Sequence, residues 1–321
     1  MLDDAIGFVF DGTGAATAIA PDAESGPLDG PPFEWRHFRR DAPETMDRLT
    51  ACGLDPYVIE ALTAEETRPR CSVHGNGVVL NLRGVNLNPG AEPDDMVSVR
   101  MWLEKDRIIG VWVRPLHAVS DLVAAIDRGA AAVSVGDFVA RLALRLADSA
   151  EPYIATLNER IDDSEESVLE PGAEVSRADL AGLRRSAIVL RRYLLPQRDA
   201  LATFEIEDLG WLSTHDRMRL REAVERVVRL GEDLDAIRDR AQIVHDQIMD
   251  QRAERMNRQS LLLSVVAAIF LPLGLLTGLL GINVGGIPGA DNPWAFAIVT
   301  LALLVIGAGL FAWVRALGFF K

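Results

Sequence analysis

Two uncharged stretches near the carboxyl end constrain this chain more than anything else in it. Leu261 to Leu280 is a run of 20 residues without a charge, Trp294 to Val314 adds 21 more, and 13 residues separate them. A helix needs about 20 apolar residues to cross the hydrocarbon core of a bilayer. Runs of this length are rare in soluble folds, where a helix keeps one polar face for water. The pair predicts a helical hairpin spanning a membrane. Neither run reads as a signal peptide, since both lie far from Met1 and the first residues have no basic, apolar start.

The flanks predict orientation. Arg252, Arg255 and Arg258 precede the first span, and Arg315 and Lys321 follow the second. Gly281 to Pro293 carries no Lys or Arg and only Asp291. The positive-inside bias therefore places both termini in the cytoplasm, with Trp294 and Trp313 as interfacial anchors of the second span. In that reducing compartment Cys52 and Cys71 are expected as free thiols. Basic residues number 33 and acidic ones 47, for a formal charge of −14. That balance excludes a general nucleic-acid binder, which needs a basic stripe to displace counterions.

Ahead of the first span lies a long helical pattern. Ser213 is placed to cap it, and no proline follows from Asp216 until Pro272. Val227, Leu230, Leu234, Ile237, Ala241, Val244 and Ile248 recur in alternating steps of three and four, the period of a packed helical seam. One helix from about Asp216 to about Gly281 would be ~100 Å long at 1.5 Å per residue. Glu225, Glu232, Asp239 and Asp246 fall every seven residues, roughly opposite the seam at 100° per residue. Such a stripe is either an ordinary solvated face or the lining of an aqueous path that concentrates cations in a symmetric bundle. Two spans per chain cannot enclose a path, so transport requires a cyclic oligomer.

The remainder alternates strand and helix signals. Val78–Leu87, Val97–Leu103 and Ile108–Val113 read as strands, with Pro89, Gly90 and Pro93 in the turn between the first two. Pro43–Cys52, Asp55–Thr63 and Leu116–Arg128 read as helices, as do Gly136–Ala150, Tyr153–Glu170 and Val175–Glu207, the last with Pro196 inside it. Residues 11–32 read as a loop. The expected organisation is a cytoplasmic α/β domain (1–150), a long-helix stalk region (151–259) and a transmembrane hairpin (260–321), with spans at about 261–281 and 294–314 and an outer loop at 282–293.

Catalytic signatures are absent. There is no GxxxxGK[ST], G-x-S-x-G, HExxH or CxxC, and the chain is not expected to be an enzyme or to carry a cofactor. Cys71 and His74 form a lone CxxH that would need a turn to chelate, because strand residues three apart face opposite ways. His37, His117 and His215 read as ordinary core or surface histidines. His245, beside Asp246, is the histidine best placed to meet a passing metal, and these two are weak candidates for metal contact; no fixed inner-sphere site is expected.

The first span ends in Thr277-Gly278-Leu279-Leu280-Gly281-Ile282-Asn283-Val284-Gly285-Gly286-Ile287-Pro288-Gly289. Here the chain resembles the CorA family of metal-ion transporters, whose signature Gly-Met-Asn closes the first of two C-terminal spans. The matching triplet is Gly281-Ile282-Asn283, and its Ile with the following Gly-rich turn resembles the ZntB-like zinc-transport branch. Thr67–Cys71, Leu82–Leu87, Pro93–Trp102 and Arg191–Asp199 resemble the same branch, so the likeness runs from about residue 65 onward.

The resemblance implies a homopentameric funnel in a bacterial inner membrane. The long helix lines funnel and pore, and the second span forms an outer ring. It implies that five Asn283 side chains collar the outer mouth, and that Asn257, Ser260, Leu263, Leu271 and Gly274 line the pore. Leu263 and Leu271 would be constrictions that gate by dewetting. Gly274 lacks the hydroxyl found in some magnesium-selective members. The expected substrate is Zn2+, taken up into the cell, and the branch is associated with coupling of that uptake to protons. From Gln259 to Ala290 there is no Cys, His, Asp or Glu, so zinc's preferred side-chain ligands are missing there and the ion should cross largely hydrated. The alternatives are a magnesium, cobalt or nickel channel of the wider family, and a non-transporting membrane-anchored coiled-coil scaffold.

Overall fold

The computed structural model describes residues 4–22, 33–65, 68–170, 175–282, 287, 289 and 292–316. The chain divides into two compact units, Met1–His245 and Asp246–Lys321.

The first unit is built on a seven-stranded sheet: β1 (Ala5–Phe10), β2 (Ala16–Ala18), β3 (Phe33–Arg39), β4 (Arg70–His74), β5 (Gly77–Gly84), β6 (Val97–Leu103) and β7 (Arg107–Trp112). The order is β2-β1-β3-β7-β6-β5-β4. Among the described strands only β3 and β7 pair in parallel, with Trp35 opposite Ile108 and Phe38 opposite Val111. Helices cover both faces. On one, α1 (Thr45–Ala51) and α2 (Pro56–Thr63) pack Leu49, Val58 and Leu62 against Phe38, Val79, Ile109 and Val111. On the other lie α3 (His117–Asp127), α4 (Val135–Leu169) and α5 (Arg177–Ile206). There Phe138 of α4 meets Phe10 and Trp35, and Gln197 of α5 accepts the Arg83 N–H at 2.7 Å.

The three sequence-predicted strands are β5, β6 and β7. The sequence reading missed β1, β3 and β4, and the loop expected over 11–32 contains the short edge strand β2; residues 23–32 lie outside the described set. The reason is clearest at β3. Its sequence FEWRHFR is buried at six of seven positions although three of the buried six, Glu34, Arg36 and His37, are ionisable. Glu34 and Arg36 share a face and satisfy each other at 3.1 Å, so a charge pattern that denies a strand on paper is neutralised in place. His37 is fully buried with neither ring nitrogen hydrogen-bonded, and desolvation lowers its pKa to about 3. It lies over Gly110, where any Cβ would collide with the imidazole.

A break expected near residue 151 is also absent. Val135–Leu169 is one helix with Pro152 inside it. A proline removes one helical hydrogen bond, but the buried stripe of Leu146, Ala150, Ile154, Leu157 and Ile161 continues across it, and that packing carries the helix through.

The last helices are α6 (Thr214–Gly281) and α7 (Ala295–Ala316). Ser213 Oγ accepts the Asp216 N–H at 3.1 Å while the Asp216 carboxylate accepts the Ser213 N–H at 3.0 Å, a reciprocal box that starts α6. Asp216 also accepts from Ser134 Oγ at 2.6 Å, and Ser134 caps α4 through the Asp137 N–H at 2.9 Å. Asp137 is fully buried between Arg141, at 2.8 Å, and Arg219. Gly136 makes the approach possible, since a Cβ there would sit 2.6 Å from Asp216 and Leu212 side-chain atoms. Two helix starts are thus locked by one polar knot.

Candidate functional site

Within the first unit, α6 has two unlike faces. Val227, Leu230, Leu234, Ile237, Ala241 and Val244 are all buried, and Ile248 in the second unit is buried too, so the seam read from spacing is real. Ion pairs fix the flanks of the seam against α4 and α5. Arg240 donates to Glu165 at 2.7 Å, to Asn158 at 3.0 Å and to Asp162, and the Glu165 and Asp162 carboxylates hold its proton beyond the usual arginine range. Arg191 pairs with Asp235 at 2.5 Å, and Arg226 with Glu151 at 2.8 Å.

The acidic stripe lies on the other face. Glu225, Glu232, Asp239 and Asp246 are all exposed. Among the described residues no cation reaches Glu225 or Glu232 within ion-pair distance, whereas Asp239 is held by its neighbour Arg238 at 2.8 Å. His245, in the first unit, is half-buried, and no group of three or more His, Cys, Asp or Glu able to hold a metal occurs among the described residues.

The seven-residue register does not stop at Asp246. Counted onward it falls on Ala253, Ser260, Ala267, Gly274 and Gly281, all of them exposed. Ala253 and Ala267 were missed as members because small apolar residues carry no chemistry alone; only their spacing from the acids marks them. At 100° per residue Asn257, Ser260, Leu263, Leu271 and Gly274 share an arc of about 120°. Leu263 is 69% exposed and Leu271 71%, far from the burial of a soluble core leucine. Among the described residues, nothing beyond the helix's own backbone and the adjacent residues comes within 4 Å of a Cβ placed on Gly274, Gly278 or Gly281.

The second unit holds the apolar end of α6 and all of α7, each long and apolar enough to cross a membrane and almost uncovered along its most apolar stretch. Gly307 of α7 receives Leu273 of α6, 3.5 Å from a built Cβ. Hydroxyls in the spans are satisfied by their own helix: Ser264 donates to the Ser260 carbonyl at 2.9 Å and Thr277 to that of Leu273 at 2.9 Å, as a water-free surround requires. Asn292 accepts the Trp294 N–H at 2.9 Å at the start of α7. Gly281 ends α6 and Ile282 follows it, half exposed. Asn283, Asp291 and Lys321 lie outside the described residues.

The CxxH pair sits on β4. Cys71 is half-buried, and desolvation pushes its pKa up to about 12, which disfavours the thiolate a metal needs. His74 is turned toward Asp55, 3.7 Å away, and the Tyr57 ring.

The family model described as CorA-like Mg2+ transporter protein matches residues 32–315. The chain is 37% identical over 312 residues to the divalent cation transporter CmaX of Pseudomonas aeruginosa, a match covering 96% of this chain and 93% of that protein. It is 33% identical over 316 residues to the zinc transport protein ZntB of Yersinia enterocolitica, covering 98% and 95%. The solved structure of full-length CmaX superposes with a TM-score of 0.85 at 34% identity, covering 99% of each chain. The α/β sheet domain, long helix and two apolar C-terminal helices are common to both.

Proposed function

We propose that this chain, which belongs to the CorA-like Mg2+ transporter family, is a divalent-cation transporter that takes up zinc through a pore formed by copies of itself. The observation that carries the reading is the exposed register of α6: acids at every seventh position from Glu225 to Asp246, then small uncharged residues to Gly281. In a ring of five protomers this face would turn to the axis. The acidic half would raise the local concentration of cations, and the uncharged half would let a hydrated ion pass without binding it tightly.

In this arrangement Leu263 and Leu271 are the dewetting constrictions, and Asn257, Ser260 and Gly274 are the polar or small positions between wider rings. Gly281, Ile282 and Asn283 form the outer mouth, where five carboxamide oxygens accept hydrogen bonds from the ion's water shell. The membrane is the bacterial inner membrane, with both termini cytoplasmic. Any proton coupling acts outside the span, at Asp291, His245 or the acidic stripe, because no titratable side chain lies between Arg258 and Asp291. The second reading, a magnesium, cobalt or nickel channel, is favoured by the description of the family model itself.

The test is radiozinc uptake into liposomes holding the purified protein, with magnesium as competitor and Asn283→Ala as control. Zinc uptake that the variant abolishes supports the proposal. Uptake that excess magnesium suppresses fully moves it to the second reading. Equal uptake by variant and parent removes the mouth from the mechanism.

A further inference from the structure

The first unit contains a cleft of about 740 Å³ that plays no part in the transport reading. Six arginines line it: Arg40, Arg68, Arg83, Arg100, Arg114 and Arg192. Two carboxylates, Glu65 and Asp95, share the lining, and Asp95 is already engaged by Arg114 at 2.5 Å. In a chain of net charge −14, a local excess of cations this dense runs against the field of the whole molecule. Among the described residues no carboxylate lies within ion-pair distance of Arg68, Arg100 or Arg192.

Arg100 is the deepest of the six. It is 2% exposed, and its Nη atoms reach the carbonyls of Leu62, at 3.0 Å, Ala64, and Glu65, at 3.3 Å, at the C-terminal end of α2. A helix C-terminus suits a cation, but these carbonyls carry no net charge and leave Nε of Arg100 buried without a partner. Burial, then the repulsion of Arg40, Arg83 and Arg70, lowers its pKa to about 10. In the same lining the Tyr193 ring packs against two guanidiniums, 4.4 Å from that of Arg83 and 5.0 Å from that of Arg192. Burying a guanidinium among like charges costs free energy, and a bound anion would remove that cost.

We propose that this cleft is a binding site for a small polyphosphate anion, of the class of pyrophosphate or a nucleoside triphosphate. Guanidinium forks match phosphate oxygens two at a time; Arg68 and Arg192 are exposed, and Arg192, now against the Tyr193 ring and hydroxyl, would turn from it to a ligand seated against Arg100. The volume falls in the range of small-molecule sites and exceeds what a single inorganic phosphate fills. Tyr193 is the aromatic ring of the lining, and a base would stack on it by displacing one of the two guanidiniums.

The experiment is titration calorimetry on the full-length protein in detergent, with EDTA present so that no metal chelate carries the signal. The probes are pyrophosphate, ATP and orthophosphate. The variants are Arg68→Gln and Arg192→Gln, both at exposed positions, with thermal unfolding as the check that each is folded. Binding of pyrophosphate or ATP, weakened about tenfold by each variant through the loss of charge-assisted hydrogen bonds, supports the site. ATP binding tighter than pyrophosphate, with the difference lost in Tyr193→Leu, assigns the nucleoside form. Absence of binding, or binding unchanged in both variants, overturns the proposal. So does a parent protein that ignores every anion while the variants change its oligomer size, for then the cleft seats an acidic face of a second copy. Transport is not read in any arm, so failure here leaves the pore proposal untouched.

Discussion

The two units solve the problem of apolar surface in opposite ways. In Met1–His245 most large apolar side chains are buried, and even awkward polar groups are matched: Glu34 with Arg36, Asp137 with two arginines. In Asp246–Lys321 most apolar side chains face outward; among the described residues of the two spans, the buried hydrophobic ones are Val265 and, at the very end of the second, Val314. The first unit is a domain that supplies its own solvent exclusion. The second depends on surroundings the chain does not provide, whether lipid or further copies. The same α6 sequence register serves both, which is why its seam can be lined with large residues while its far face is acidic and then small.

The largest effect comes from cutting the seam. Leu234→Ala removes a fully buried side chain and should destabilise the first unit by about 2–5 kcal/mol, seen as a lower melting temperature in detergent. Leu271→Ala, at a position 71% exposed, should leave that temperature within a degree or two on the scale of ordinary surface changes, about 0.5 kcal/mol, while raising ion leak by widening a dewetted ring. Equal loss of stability in the two variants would break the contrast between the units. An unchanged leak would remove Leu271 from the constriction.

How far the sequence discloses this molecule follows from the same contrast. The spans, the seam and the α6 start were legible because each is a periodic or compositional signal within one element: uncharged length, steps of three and four, Ser213 three residues ahead of Asp216. Strand β3 was not, because its burial depends on Glu34 meeting Arg36 and on His37 resting over Gly110 of β7, facts of tertiary pairing. The arginine cleft was equally hidden. Its six cations come from positions between 40 and 192, and nothing in their local spacing brings them together. Helix α4 erred in the other direction: Pro152 is a strong local stop signal that packing overrides.

A smaller effect separates the units by pH. His37 is neutral when folded, its pKa lowered from 6.5 to about 3 by desolvation, so between those values the unfolded chain binds a proton the folded chain refuses. Stability from this group is therefore fully present above pH 6.5 and is lost as the pH falls toward 3, by up to about 1.4 kcal/mol per pH unit. Between pH 6.5 and 5, before most carboxylates titrate, the first unit should lose melting temperature with a slope that His37→Gln flattens. Helical circular dichroism from the spans should persist, since no ionisable side chain lies between Arg258 and Asp291. A slope identical in the variant would mean that another group takes up the proton.

The smallest effect is on rate and concerns only the acidic half of the register. Glu232 is exposed and meets no cation among the described residues, whereas Asp239 is partly neutralised by Arg238 at 2.8 Å. If the stripe concentrates cations ahead of the spans, Glu232→Gln should lower zinc flux more than Asp239→Asn, on the order of threefold at low salt. The difference should shrink near 0.15 M salt, where the screening length is about 8 Å. Neither change should move the melting temperature, because exposed charges contribute little to stability. Equal, salt-independent fluxes in both variants would reduce the stripe to a solvated helix face. The outward-facing half of α6 would then owe its register to packing between copies, and its small residues from Ala253 to Gly281 would be the place to look for that contact.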